Sequence, residues 1–158
     1  MHHVNSNDQV CTIKIVQFVA ASINARVYLH AGSHLGAVVH GQPIPWDDDV
    51  DLFMNYRYIR DFQNICQGEG VEVHPSGVRL RCESYFNALK VWLHPQGFKK
   101  MTSPRCKWFS PFVDLFAFEI NDGNVKEVFL DANKGKPDQV YSIRDFFPTR
   151  PYYFAGTY

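Results

Sequence analysis

The sequence predicts an α+β fold, in which helices flank a mixed β-sheet, from two kinds of periodicity. Residues 10–24 and 56–67 repeat apolar side chains three or four positions apart, as amphipathic helices do. In residues 50–54 and 88–94, Val, Leu or Met occupies every second position, as in strands whose two faces differ. Because these patterns intersperse along a chain of 158 residues, we expect one domain with a sizeable core.

Turn residues and helix-ending glycines set the limits of the other elements. Gly41 and Gly68 should each end a helix. Pro-Ser-Gly at 75–77 and Asn-Asp-Gly-Asn at 121–124 predict hairpin turns. The predicted helices cover 10–24, 33–40 and 56–67, and the predicted strands cover 27–31, 50–54, 71–74, 78–82, 88–94, 113–120 and 125–130.

Composition and the chain ends argue against several classes of protein. The 16 Lys and Arg balance the 16 Asp and Glu, so no overall basic field favours nucleic acid. The sequence contains no run of 18 apolar residues, so it does not predict a transmembrane segment. Residues 1–9 are polar and read as a flexible N-terminus rather than a signal peptide or anchor. A single domain is expected over 10–158, with a loop at 131–138.

The cysteines do not have the spacing of a zinc site. Cys11, Cys66, Cys82 and Cys106 lie far apart, and none belongs to a C-x₂-C motif. They are therefore either buried thiols or the partners of one or two disulfides, and the sequence does not choose between these alternatives.

The most concentrated chemistry lies in the acidic segment 45–53, which packs four aspartates into five positions. Asp49 and Asp51 share one face of a predicted strand, about 7 Å apart by the usual rise per residue. Two such carboxylates repel each other unless a cation intervenes, and Mg²⁺ or Mn²⁺ would favour their oxygens and keep positions for phosphate. We therefore predict Asp49 and Asp51 as metal ligands, and Asp47 and Asp48 as loop residues that support them.

A third aspartate lies in the middle of an apolar strand. Asp114 is the single charged residue of segment 112–118. A carboxylate buried in a strand is costly unless it is ion-paired or metal-bound. An ion pair with Arg or Lys is one alternative, and a place beside Asp49 and Asp51 as the third ligand is the other, which the acidic segment favours.

The junction of Gly32 and Ser33 is a candidate phosphate site. Glycine permits close backbone approach, serine often caps a helix, and the N–H groups of a helix start bind phosphate oxygens. An ordinary strand–turn–helix junction is the alternative. Arg105 and Lys107, in a basic stretch near Trp108, either reach the same phosphates or belong to a solvated loop.

The order of these elements is that of the nucleotidyltransferase superfold: strand, Gly-Ser, helix, Asp-x-Asp strand, helix and a later strand with a third Asp. Segments 32–41 and 44–52 resemble the LicD family, which includes the fukutin-type proteins, above all in the run Ile-Pro-Trp-Asp-Asp-Asp-hydrophobic-Asp. The resemblance continues more loosely through 113–116 and 146–156. Val39 departs from it, because the family commonly has Arg there.

The resemblance implies that the protein transfers a phosphorylated alcohol or sugar, such as phosphocholine or ribitol phosphate, from a CDP-activated donor to a glycan or glycoconjugate. Asp49, Asp51 and Asp114 would hold Mg²⁺ or Mn²⁺ and carry catalysis. Gly32 and Ser33 would contact the donor phosphates. His40 would join them, since the family keeps a histidine at this position.

Two other functions are compatible with the same residues. One is a catalytically silent member that binds a glycan or a nucleotide, and the other is a nucleotidyltransferase that moves a nucleoside monophosphate. Relatives usually continue beyond the position of Tyr158, so the chain is expected to be a minimal member or a fragment that lacks a C-terminal extension. As given it is expected in the cytoplasm, and as a fragment of an anchored protein in the Golgi or secretory lumen.

Overall fold

The computed structural model describes residues 6–47, 49–94, 111–131, 139–152 and 154. The helices are α1 (Ser6–Ser22), α2 (Ala31–His40), α3 (Tyr56–Cys66) and α4 (Ile143–Phe146). The strands are β1 (Val27–Leu29), β2 (Asp49–Asn55), β3 (Val71–His74), β4 (Val78–Tyr85), β5 (Ala88–His94), β6 (Phe112–Asn121), β7 (Asn124–Val128) and β8 (Val140–Ser142). Helices beside a mixed sheet confirm the predicted α+β class.

The eight described strands form one sheet, in which β1, β2, β6, β5, β4 and β3 lie side by side in that order. β7 pairs with the far half of β6, and β8 pairs with β7. β2 and β6 are parallel, and the other described pairs are antiparallel. β6 is therefore the centre of the sheet, since it bonds to β2 on one side and to β5 and then β7 on the other.

The two faces of the sheet differ because alternate residues of a strand point in opposite directions. On β2, Leu52 and Met54 are buried in the main core, which also contains residues of α1 and α3. Asp51 and Phe53 lie on the opposite face, where Phe53 joins a second buried cluster with Phe118. Burial of each large apolar side chain stabilises the fold by about 1.5–3 kcal/mol, so the alternation commits β2 to this orientation.

Local sequence accounts for the ends of α2 and α3. Gly41 follows α2 with φ 66°, and its N–H donates to the carbonyl of Ala37 at 3.1 Å, as the predicted glycine stop requires. Asn55 caps α3, because its Oδ1 accepts a hydrogen bond from the N–H of Arg57 at 3.1 Å. Both helices therefore keep fixed positions beside β2.

Several element limits differ from those predicted. α1 begins at Ser6 rather than at residue 10. β1 ends at Leu29 and α2 begins at Ala31 rather than at Ser33, because the chain turns sharply at Ala31, whose φ is 41°. The sequence does not predict β8 or α4, since the three exposed residues of β8 leave no apolar period to detect.

A disulfide joins α3 to β4. Cys66, the last residue of α3, bonds to Cys82, with Cα atoms 5.1 Å apart. Both residues are buried, whereas Cys11 is an exposed free thiol. Of the alternatives left open, the structure thus selects a disulfide for this pair, and Cys106 lies outside the described residues. None of the helices in the described segments is long and apolar enough to cross a membrane.

Candidate metal centre

Parallel pairing of β2 with β6 brings three carboxylates together. Asp51 lies directly opposite Asp114 in the register, and Asp49 lies two residues earlier on the same face of β2. Asp49, Asp51 and Asp114 each offer one carboxylate oxygen, and these oxygens all lie within 4.8 Å of one another. Three partly buried carboxylates at this spacing fit a hard divalent cation such as Mg²⁺ or Mn²⁺.

Crowding of negative charge affects the ionisation of the cluster. Burial raises the pKa of Asp49 to about 7, and the charges of Asp51, Asp114 and Asp47 add to the effect. Burial also raises the pKa of Asp51 to about 6, with Asp114 and Asp47 contributing and the N–H of Gly32 partly opposing them. Both carboxylates are therefore costly to ionise by themselves, which is the condition that a bound cation relieves.

Lys90 is a member of the site that the sequence patterns do not identify. It faces Asp114 across the β5–β6 register, and its Nζ donates to the two carboxylate oxygens at 2.6 and 2.7 Å. The ammonium also lies 4.1 Å from the ring centre of Phe112. The available signal is a lysine in the apolar strand 88–94. The structure thus gives Asp114 both an ion pair and a place in the carboxylate cluster, which the sequence leaves as alternatives.

The first turn of α2 contacts the cluster, but not as a serine cap. His30 holds the N-cap position without a side-chain cap bond. Ser33 lies inside the helix, is 3% exposed, and accepts through Oγ a hydrogen bond from the N–H of Asp51 at 2.9 Å. The prediction that Ser33 caps the helix is therefore wrong, because the helix starts two residues earlier and the hydroxyl faces β2.

Gly32 lies close to two carboxylates. Its N–H bonds to the side chain of Asp51. A Cβ at position 32 would lie 2.9 Å from Oδ2 of Asp47 and 3.5 Å from Oδ2 of Asp51. Asp47 is thus beside the cluster, as expected of a supporting loop residue, whereas Asp48 lies outside the described residues. A side chain at position 32 would therefore displace the carboxylate of Asp47.

The histidines of this region occupy three different environments. His40 is exposed in the last turn of α2, about 12 Å along the helix axis from Gly32 by the usual rise of 1.5 Å per residue. His34 is also exposed. His30 stacks on Phe53 at 3.6 Å between ring centres, and burial, followed by the charge of His34, lowers the pKa of His30 to about 4. His30 is therefore neutral at physiological pH.

The structure does not bring every predicted donor-phosphate residue to the cluster. Gly32 and Ser33 lie beside the carboxylates in the first turn of α2, while His40 lies in the last turn of the same helix. Arg105 and Lys107 lie outside the described residues. The predicted contacts of all five residues with the donor phosphates, those of Gly32 and Ser33 included, remain predictions.

A groove of about 1070 Å³ borders the first turn of α2. It runs between β1, the C-terminal half of α1, the segment 141–152 and Phe154, and it includes His30 and His34. Aromatic and basic side chains line much of it, among them Tyr28, Tyr152, Arg26 and Arg150. Such a mixture of ring faces and cations suits a polar ligand with an anionic group.

Comparison with known proteins identifies the family of the chain. The model of the LicD/FKTN/FKRP nucleotidyltransferase domain matches residues 24–158. Two relatives named ribitol 5-phosphate transferase FKRP, from Mus musculus and Homo sapiens, are each 43% identical to the chain over 61 residues. That segment is 39% of this chain and 12% of each relative's length. Because the family model spans most of its residues, the chain belongs to the LicD/FKTN/FKRP nucleotidyltransferase-domain family.

Proposed function

We propose that the protein is a metal-dependent transferase that moves a phosphorylated alcohol or sugar from a CDP-activated donor to a hydroxyl of a glycan or glycoconjugate. The observation that carries the proposal is the convergence of Asp49, Asp51 and Asp114 in a member of this family. The name of the two relatives specifies transfer of ribitol 5-phosphate. Ribitol phosphate is therefore our first choice of transferred group, and phosphocholine is the second.

The proposed metal site rests on the chemistry of its three carboxylates. Asp49, Asp51 and Asp114 would hold Mg²⁺ or Mn²⁺. When bound, such an ion supplies charge neutralisation at phosphate oxygens, which phosphoryl-group transfer depends on. Gly32 and Ser33 support the same geometry from α2, since one N–H holds the Asp51 carboxylate and one hydroxyl holds the Asp51 backbone.

The proposed reaction exchanges one phosphorus–oxygen bond for another. The bond between the transferred phosphorus and the leaving CMP oxygen breaks, and CMP keeps its electron pair. A bond forms from the same phosphorus to the acceptor oxygen, and the proton of that hydroxyl passes to solvent or to the phosphate of the departing CMP. Asp114 is poorly suited to accept that proton, because Lys90 donates to both of its oxygens. We therefore assign Asp114 a ligand and positioning role rather than that of general base.

The acceptor has room beside the centre. The groove next to α2 contains ring faces that can stack on sugars and two arginines, Arg26 and Arg150, that have no salt bridge within the described part of the chain. It borders the first turn of α2 at Ala31 and His34, and the neighbouring Gly32 lies beside Asp51. We therefore place the glycan in this groove, with the donor phosphates at the carboxylates.

Calorimetric titration of CDP-ribitol and CDP-choline in the presence of Mn²⁺ tests the proposal. We expect metal-dependent binding of at least one donor, lost in Asp51→Asn. Asp61→Asn is the matched control, because Asp61 is an exposed carboxylate on α3. Donor binding that is unchanged in Asp51→Asn would overturn the site, provided that circular dichroism shows the variant to be folded.

Product analysis separates the proposed transfer from the two other functions. Release of CMP together with a phosphodiester on a glycan acceptor is the expected result. Attachment of the nucleoside monophosphate to the acceptor would instead identify a nucleotidyltransferase. Donor binding without any turnover, across a panel of glycan acceptors, would identify a silent binding protein.

A further inference from the structure

We infer that the centre takes a single divalent cation, and that the ammonium of Lys90 occupies the place of a second one. The inference rests on the proposed function, because it concerns the metal that this function requires. Phosphoryl-transfer centres with two ions hold them about 3.5–4 Å apart between shared carboxylates. Here the Lys90 side chain already lies on the third carboxylate, Asp114.

The contact between Lys90 and Asp114 is short and two-fold. Nζ lies 2.7 Å from Oδ1 and 2.6 Å from Oδ2 of Asp114. The two residues face each other in the β5–β6 register, so the backbone of the central strands fixes the pair. An ion that bound the same side of Asp114 would lie against the ammonium and be repelled by it.

The surroundings of Lys90 hold its charge in place. Lys90 is 8% exposed, which is unusual for a lysine. Its ammonium lies 4.1 Å from the ring centre of Phe112 and 5.6 Å from that of Tyr85. Ring faces attract a cation, so the ammonium is stabilised where it is and has little freedom to swing into solvent.

The charges of the ligand group point to the same number of ions. Asp49, Asp51 and Asp114 carry three negative charges when ionised, and Lys90 carries one positive charge. One divalent cation therefore completes neutralisation of this group. Asp47 is near enough to raise the pKa of Asp49 and Asp51, but it is not among the residues whose oxygens lie within 4.8 Å of one another.

Counting Mn²⁺ ions per chain tests the inference without an activity assay. Equilibrium dialysis, with electron paramagnetic resonance to quantify free Mn²⁺, should give one bound ion for the wild-type protein and two for Lys90→Met. Lys90→Arg, which keeps the positive charge, should stay at one ion. Lys14→Met is the matched control, because Lys14 is exposed on α1, and it should also bind one ion.

The outcomes separate this inference from the proposed function. Two ions in the wild-type protein would overturn the inference and leave the transferase proposal standing, and this holds even if Lys90→Met does not fold. One ion in a folded Lys90→Met variant would likewise overturn it. One ion in the wild type and two in Lys90→Met, with no transfer to any acceptor, would support the inference and count against the transferase. Absence of bound Mn²⁺ from the folded wild-type protein would overturn both.

Discussion

At the scale of single residues, Asp49 and Asp51 are two side chains whose ionisation destabilises the folded protein. Their carboxylates are partly buried, close to Asp114 and Asp47, and their pKa values are raised to about 7 and about 6. Lys90 forms its ion pair with Asp114, and its charge opposes the pKa shifts of Asp49 and Asp51 without cancelling them. The carboxylate cluster therefore favours a bound cation at neutral pH. Without a cation, ionisation of these carboxylates should lower the stability of the fold by a measurable amount.

This cost predicts a pH dependence of stability in the metal-free protein. The folded-state pKa of Asp49 lies above its unfolded value, so between about pH 4 and pH 7 the folded state binds more protons than the unfolded state. Asp51 acts in the same direction, and together the two aspartates outweigh His30, whose folded-state pKa of about 4 lies below its unfolded value of 6.5. The free energy of unfolding should consequently fall as the pH rises through this interval. We expect denaturant titrations in EDTA to give a lower stability at pH 8 than at pH 5.

Asp49→Asn is the control for that experiment, because the amide does not titrate and is similar in size to the carboxyl group. The fall in stability between pH 5 and pH 8 should be smaller in this variant than in the wild type. Equal pH dependence in the two proteins would contradict the assigned pKa of Asp49. Addition of Mn²⁺ at pH 8 should stabilise the wild type more than the variant.

At the scale of elements, the start of α2 is tied to β2 through one residue, Asp51. The N–H of His30 donates to the carbonyl of Asp51 at 3.0 Å. Ser33 Oγ accepts from the N–H of Asp51, and the N–H of Gly32 bonds to its side chain. The start of α2 and the candidate ligand Asp51 therefore hold each other in place, and substitutions in α2 should alter the carboxylate cluster.

Ser33→Ala should destabilise the protein by about 1–3 kcal/mol, because the partly buried N–H of Asp51 loses its acceptor. It should also weaken binding of Mn²⁺, since Asp51 loses one of its fixed contacts. Denaturant titration and calorimetry measure the two effects. Ser22→Ala, at an exposed position of α1, serves as the control. It removes a hydroxyl that donates to the carbonyl of Val19 at 2.7 Å, where water can take its place, so stability should fall less than in Ser33→Ala and binding of Mn²⁺ should not change.

Two glycines of α2 should respond differently to alanine. In Gly32→Ala the new Cβ would meet the flexible tip of Asp47 at 2.9 Å, so we expect near-normal stability and weaker binding of Mn²⁺ and donor. In Gly36→Ala the Cβ would meet the backbone carbonyl of Gln42 at 2.7 Å. That contact cannot easily move, and it should cost about 1–3 kcal/mol. Equal losses of stability in the two variants would contradict this distinction.

At the scale of the whole molecule, the Cys66–Cys82 disulfide fixes α3 against the sheet across a separation of 16 residues. A loop of about 15 residues corresponds to about 3 kcal/mol in the chain-entropy treatment of cross-links. At about 2–4 °C per kcal/mol for a domain of this size, Cys66→Ser with Cys82→Ser should lower Tm by about 6–12 °C. Thermal unfolding followed by circular dichroism measures the change.

Cys11→Ser is the control for the disulfide, because Cys11 is exposed and unpaired among the described residues. Its Tm should equal that of the wild type. If the double serine variant also melts at the wild-type temperature, the cross-link does not stabilise the fold. Mass spectrometry of the alkylated, unreduced protein independently reports whether Cys66 and Cys82 are bonded.

Local patterns in the sequence determined much of the fold and of the candidate site. Alternation along 49–55 placed Asp49 and Asp51 on one face of β2, away from the core, because strand side chains have a period of two. Gly41 ended α2, and the turn at 121–124 joined β6 to β7 with positive φ at Asp122 and Gly123. The signature at 44–52 indicates the LicD family from local sequence alone, and the match of the family model over 24–158 confirms it.

Only the tertiary structure decided which distant residues meet. The register of β2 with β6 sets Asp51 opposite Asp114, and the register of β5 with β6 sets Lys90 opposite Asp114. Likewise, packing of α3 on β4 chose Cys66 and Cys82 from several equivalent pairings. The alternation of residues along a strand predicts the face on which each side chain lies, because this direction depends only on local sequence. Contacts between strands depend on the packing of the whole chain. The sequence by itself therefore indicated the three candidate carboxylates, while the structure decided that they meet and that Lys90 pairs with Asp114.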